Sequence, residues 1–74
     1  MRSDQELLAA VSDAFVTWYG MPAIQTVVIA RPTAASPHYA IQRRFPIGTV
    51  VMYLREDEHG QLVRESAMWR VGHW

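Results

Sequence analysis

The hydrophobic periodicity of the chain changes at Gly20 and Pro22, and this change limits the possible folds more than any other feature. Before this point, apolar residues recur at the spacing of an amphipathic helix. After it, short runs rich in β-branched residues are separated by proline and glycine, which is typical of strands. One helix followed only by strands indicates the α+β class, because a parallel α/β sheet needs helices between its strands.

The N-terminal segment carries a helix start signal and an apolar stripe. Ser3 and Glu6 have the spacing of a capping box, in which each side chain bonds the backbone N–H of the other residue. Gly20 suits the end of a helix, and Pro22 cannot continue one. The sequence therefore predicts a helix over residues 4–19. Its apolar stripe consists of Leu7, Leu8, Val11, Ala14, Phe15 and Trp18.

Four strands are predicted after the helix, separated by turn signals. Their bounds are Ile24 to Ala30, Tyr39 to Phe45, Thr49 to Arg55 and Gln61 to Val71. The prolines of the segment 31–38 indicate a loop between the first two strands. Pro46 and Gly48 suit a type I turn between the second and third strands. Gly60, which can adopt a positive φ, is expected to close the hairpin loop before the fourth strand.

We therefore expect a single domain over residues 1–74, with the helix packed on a four-stranded, mostly antiparallel sheet. A small SH3-like barrel with an N-terminal helix is the alternative, because short twisted strands can curl to protect their edges. The 74-residue chain has no cysteine, so neither disulfides nor thiolate-bound metals can stabilise its small core. This favours a homodimer or a partner-bound state.

Alternation along the strands predicts which side chains face the helix and which form an outer face. We expect Arg43 and Glu65 to face the helix among apolar neighbours. These neighbours are Tyr39, Ile41, Phe45, Val50, Met52, Leu54, Val63, Ala67, Trp69 and Val71. The opposite side gathers cations with a few apolar side chains and is interpreted as the candidate partner-binding surface. Its residues are Arg44, Arg55, Arg64, Arg70, Tyr53, Val51 and Met68.

No pattern in the sequence indicates catalysis, a cofactor or a metal. His38, His59 and His73 lie at separate loop or tail positions without the spacing of zinc ligands. The residue types of a catalytic triad are present in Ser66, His59 and Asp57. They do not indicate a hydrolase, since no glycine-rich nucleophile or oxyanion turn accompanies them. A glycine-rich phosphate loop is also absent. We therefore predict a non-enzymatic protein with no catalytic, cofactor-binding or metal-binding residues.

The charge balance bears on partners and location. Seven arginines offset seven acidic residues, and lysine is absent, which is typical of a GC-rich bacterial or phage genome. A net charge near zero argues against a general polyanion binder. No apolar run is long enough to span a membrane, and the first residues lack the apolar stretch of a signal peptide. We expect a cytoplasmic protein with no membrane partner.

These observations predict a small protein-binding factor of the regulatory or inhibitory kind, from a bacterium, phage or mobile element. An inhibitor of a defence system is one example of such a factor. The expected partner presents an acidic protein surface to the outer face, because guanidinium groups bind carboxylates through paired hydrogen bonds. Two alternatives stay open. One is a nucleic-acid-binding module that uses the arginines and tyrosine of the sheet face. The other is a minor subunit of a larger assembly.

Overall fold

The strands of the computed structural model form two antiparallel sheets, and the structure describes residues 2–72. The elements in chain order are α1 (Asp4–Ala10), β1 (Thr17–Trp18), β2 (Met21–Pro22), β3 (Gln25–Ala30), β4 (His38–Phe45), β5 (Gly48–Glu56) and β6 (Leu62–Val71). The main sheet has the order β3-β4-β5-β6, which confirms the predicted helix-on-sheet α+β architecture. This sheet is open, with β3 and β6 at its edges, so the alternative of a closed SH3-like barrel is wrong.

The helix begins as predicted and ends much earlier, at Ala10. The Ser3 hydroxyl accepts a hydrogen bond from the Glu6 N–H at 3.2 Å, and the Ser3 N–H donates to the Glu6 carboxylate at 3.1 Å. These two bonds form the predicted capping box. Beyond Ala10, Ser12 and Asp13 disfavour a helix interior, because their side chains compete for nearby backbone groups.

The segment after the helix is held by a buried arginine of β4. The Arg43 Nη1 donates to the carbonyl oxygens of Ala14 and Phe15 at 2.6 and 3.1 Å, and its Nη2 donates to that of Val11 at 2.9 Å. Carbonyl groups near a helix end need partners other than later helical N–H groups. Arg43 supplies such partners to the segment after Ala10, which is not helical. The predicted helix is therefore wrong beyond Ala10.

A hairpin occupies the place predicted for the end of the helix. Trp18 of β1 pairs with Met21 of β2, and the two residues between them have φ values of 53° at Tyr19 and 75° at Gly20. Positive φ at both central positions is the mark of the type I′ turns that join two-residue hairpins. Gly20 therefore serves a hairpin, where the sequence predicted a helix C-terminus.

The core lies between α1 and the two central strands. It consists of Leu7, Val11, Tyr39, Ile41, Phe45, Val50, Met52 and Leu54, and every member was predicted to be buried. Trp18 joins this core from β1, with its ring edge-on to Phe45 at a centroid distance of 5.6 Å. Other predicted core positions are wrong. Phe15 is exposed at a φ of 52°, and on the edge strand β6 the side chains of Val63, Trp69 and Val71 are exposed as well.

Gly48 allows three parts of the chain to meet at the start of β5. A Cβ atom at this position would lie 2.2 Å from the carbonyl oxygen of Arg70 and 2.7 Å from the ring of Trp18. Both distances are shorter than any ordinary contact, so only glycine fits without displacing β6 or the β1–β2 hairpin. The sequence indicated a turn at Gly48 but gave no sign of this close packing.

Candidate functional site

The face of the main sheet opposite α1 is called the outer face, and its part on β4, β5 and β6 consists of four rows of residues. Side chains of directly paired residues on antiparallel strands point to the same face. From one end of the sheet to the other, the rows are Arg44–Thr49–Arg70, Gln42–Val51–Met68, Ala40–Tyr53–Ser66 and His38–Arg55–Val63. Six of the seven residues predicted for the candidate surface lie in these rows: Arg44, Arg55, Arg70, Tyr53, Val51 and Met68.

Arg64 is the seventh, and its predicted orientation is wrong. Tyr53 pairs with Ser66, whereas the next residue of β5, Leu54, pairs with Arg64, so Glu65 is an extra residue in β6. Such a β-bulge reverses the alternation of side chains beyond it. Arg64 is therefore opposite the fully buried Leu54, on the helix face.

The bulge explains two further corrections and a long-range ion pair. Val63 and Glu65, both predicted to face the helix, belong to the outer face, where Val63 is paired with Arg55. On the helix face, the Arg64 Nη1 donates to the carboxylate of Asp13 at 2.9 Å. Asp13 follows α1, so this exposed pair ties the edge strand to the segment that Arg43 holds.

Arg55 stays on the outer face, but an adjacent carboxylate compensates its charge. The Arg55 Nε donates to Glu65 Oε2 at 2.5 Å, and His38 Nε2 lies 3.1 Å from Glu65 Oε1. The hydrogen bond from Arg55, and after it that with His38, holds the pKa of Glu65 below its ordinary range. This end of the outer face is therefore a mixed-charge cluster of three residues, in which a single arginine does not dominate.

Arg44 and Arg70 form the cationic end of the outer face. Both pair with Thr49, one from each side. Their backbones are therefore two strand spacings apart, a total of about 10 Å. Thr49 is buried between them, and both arginines are exposed. The four-arginine cluster expected from the sequence is thus a pair at one end of the sheet.

The apolar part of the outer face is smaller than predicted. Val51 is only 6% exposed, so a partner could reach little of it. Tyr53 is half-buried, and its ring stands edge-on to that of His38 at a centroid distance of 6.3 Å. Met68, which is 61% exposed, is the main apolar side chain that this face offers.

The helix face of β6 has an open groove that was not predicted. Trp69 is 65% exposed because α1 lies over the other end of the sheet, near β3. At Ala67, two residues before Trp69 on the same face, a groove of about 250 Å³ lies between β6 and the segment after α1. Its lining includes Ala14, Phe15, Met52, Arg64 and Ala67. In the sequence, the alternation of apolar residues along β6 predicted a buried core at this position, where the structure has an open groove.

The remaining polar candidates do not form one group, since Asp57 and His59 share the β5–β6 loop whereas Ser66 is opposite Tyr53 within the main sheet. His38 contacts Glu65, whereas Asp57 Oδ1 accepts hydrogen bonds from the backbone N–H groups of His59 and Gln61 within the β5–β6 loop. His73 lies outside the described residues. Among residues 2–72, no group of three or more metal-ligating side chains comes together, and no helix is long and apolar enough to cross a membrane.

Comparison with known proteins adds no relative to this description. The chain matches no protein-family model, no curated protein and no solved structure.

Proposed function

We propose that the chain is a small non-enzymatic factor that binds another protein through its outer face, in a regulatory or inhibitory role. The observation that carries this proposal is the division of the arginines. Arg64 lies on the helix face beside Asp13, and Glu65 compensates the charge of Arg55. Arg44 and Arg70 lie together in one row of the outer face, on either side of Thr49, with Met68 in the adjacent row.

This arrangement favours a protein partner over a nucleic acid. Proteins that bind single strands without sequence preference use a continuous cationic groove and several stacking aromatics. Here two arginines lie at one end of the face and a third, Arg55, lies beside Glu65 at the other end. Tyr53 is the one aromatic ring of the Phe, Tyr or Trp type that residues 2–72 place on this face, and it is half-buried beside His38. Protein interfaces need a compact apolar centre with polar groups around it, and arginine and methionine are both enriched there.

The partner that suits this surface has paired acidic groups beside an apolar contact. Arg44 and Arg70 would each engage a carboxylate through two parallel hydrogen bonds. Met68 would pack against the apolar contact, since its flexible thioether adapts to irregular surfaces. The arginine-only set of cations supports an origin in a bacterium, phage or mobile element with a GC-rich genome.

Charge reversal on the outer face tests this proposal. We expect the immobilised wild-type chain to capture one protein from a lysate of its source cells, with or without nuclease. The double variant Arg44→Glu/Arg70→Glu should lose that capture. Arg64→Glu should retain it, because Arg64 carries the same charge on the same sheet but lies on the helix face. The double variant should unfold within about 0.5 kcal/mol of the wild type, since exposed positions tolerate substitution.

Two results would contradict the proposal. Capture that is lost after nuclease treatment, together with a steep fall of affinity as salt rises, would show a nucleic-acid-binding module instead. Unchanged capture by the double variant would show that the partner uses another surface.

A further inference from the structure

β6 leaves an unprotected edge on the main sheet. It is the longest strand of residues 2–72, and no other described strand pairs with its far side. Native proteins cover such edges or place lysine, proline or bulges along them, because free backbone groups pair with other strands. The bulge at Glu65 interrupts only the first part of β6. From Ser66 to Val71 the sole charged residue is Arg70.

The free backbone groups of this edge can be assigned from one hydrogen bond. The Gly72 N–H donates to the carbonyl oxygen of Ile47 at 2.6 Å, toward the β5 side. Along an antiparallel strand, successive residues direct their N–H and C=O groups alternately to one neighbour and to the other. Ala67, Trp69 and Val71 therefore direct theirs to the open edge.

The helix face of the same edge carries a projecting side chain and a hollow. The Trp69 indole projects into solvent, whereas the groove of about 250 Å³ lies beside Ala67, two residues away on the same face. Ala14, Phe15, Met52 and Ala67 line the groove together with Arg64, Glu65 and Ser66, and most of the lining surface is apolar. An indole side chain is small enough for a groove of this volume and prefers such a lining.

We propose that two copies of the chain pair antiparallel through β6, about a two-fold axis at Met68. A two-fold axis at this residue places Ala67 of each copy opposite Trp69 of the other. Each Trp69 then enters the groove of the other copy, which is the self-complementarity that a symmetric dimer requires. The open backbone groups of Ala67 and Trp69 bond each other across the junction, once on each side of the axis.

The charges of the edge agree with this register. Arg70 of each copy comes opposite Ser66 of the other and next to Glu65, a carboxylate on the same outer face. No two arginines are directly opposite each other, because Arg64 comes opposite Gly72. The net charge of zero also leaves no long-range repulsion between copies.

The dimer would join two four-stranded sheets into one sheet of eight strands. Both outer faces would lie on the same side, because a two-fold axis perpendicular to the sheet keeps each face on its own side. The inference does not rest on the proposed function, because the open edge of β6 and the groove of the helix face carry it, although Met68 and Arg70 of the outer face lie near the junction. The two can fail separately.

Single cysteines test the axis directly, because the native chain has none. In this register, Met68 of one copy is opposite Met68 of the other. The two residues form a pair without hydrogen bonds, with Cα atoms about 4.5 Å apart. That distance suits a disulfide. We expect Met68→Cys to convert almost completely to a disulfide-linked dimer under mild oxidation. Val71→Cys is the matched control on the same strand, and its two Cα atoms would be about 20 Å apart.

Sedimentation of the cysteine-free protein gives a second readout. The wild-type chain should sediment at twice its 8.5 kDa mass in the micromolar range. Trp69→Ala should sediment as a monomer. Ile24→Ala should remain a dimer, because Ile24 has the same 65% exposure but lies beside β3, at the opposite edge.

A monomeric wild-type protein at submillimolar concentration would overturn the proposal. Equal cross-linking of Met68→Cys and Val71→Cys would do so as well, since it would indicate random collision. A dimer that survives Trp69→Ala and fails to cross-link at Met68→Cys would place the interface elsewhere.

Discussion

β5 and β6 are paired along their whole lengths and contain similar side chains, yet one is buried and the other is exposed. β5 has strands on both sides, and its side chains are buried on both faces over most of its length. β6 has β5 on one side only, and most of its residues are exposed on either face. Val50 and Val71 illustrate the contrast, because both lie on the helix face, fully buried and 66% exposed respectively. Alternation of apolar residues thus predicts a face, whereas burial depends on what covers that face.

The two strands also differ in regularity. β4 and β5 pair residue by residue from end to end, so every orientation that alternation predicted there is correct. The β5–β6 ladder contains the Glu65 bulge, and the orientations of Val63, Arg64 and Glu65 beyond it are reversed. A single extra residue was enough to remove one arginine from the candidate surface.

The largest expected difference in stability is between two valine-to-alanine variants, one on β5 and one on β6. Val50→Ala should lower the free energy of unfolding by about 2–4 kcal/mol, because it removes two buried methyl groups and leaves a cavity. Val71→Ala should change it by no more than about 0.5 kcal/mol. Urea unfolding of both variants at low protein concentration, where dimers dissociate, measures the difference. Equal losses would mean that Val71 is buried in the single chain, against its 66% exposure.

A smaller effect is expected where β5 and β6 approach most closely. Gly48→Ala should cost about 1–3 kcal/mol, since its Cβ would overlap the Arg70 carbonyl oxygen and the Trp18 ring. Trp18→Leu in the same chain should recover little of this cost, because the clash with the β6 backbone remains. Thermal unfolding of the single and double variants checks this. A stability unchanged by Gly48→Ala would show that the strands are less closely packed at this point.

The smallest effect concerns the ion pair at the bulge. The pKa of Glu65 is lowered by Arg55 and then by His38, so its carboxylate is more acidic in the folded chain. This contribution to stability is present above the ordinary glutamate pKa of about 4.3. It is lost as the pH falls through the lower folded value. Glu65→Gln should therefore melt below the wild type at pH 7, and the gap should close in acid. A gap that does not change with pH would contradict the pairing.

The sequence was a good guide wherever local chemistry decides the structure. The capping box of Ser3 and Glu6, the turn at Pro46 and the positive φ of Gly60 all follow from short-range rules. The end of the helix does not, because it is set by Arg43, a residue about thirty positions away. No short-range rule could show that Gly20 belongs to a hairpin and not to a helix end.

The candidate site was predictable only in part, for related reasons. The register of β4 and β5 placed Arg44, Arg55 and Tyr53 correctly on one face. The bulge at Glu65 has no clear signal in the residues around it, so the orientation of Arg64 was not predictable. Exposure of Trp69 was missed because burial at a sheet edge depends on how far the short helix extends over the sheet.

The three carbonyl bonds of Arg43 have a consequence for the order of folding. They connect β4 to residues 28, 29 and 32 positions earlier in the chain. The β4–β5 hairpin needs only a short loop to close, whereas these bonds need a long one, and closing a longer loop costs more entropy. We therefore expect residues 11–15 to acquire their path after the hairpin has formed. Because this path depends on hydrogen bonds from Arg43 of β4, we expect that the N-terminal segment alone would not adopt it.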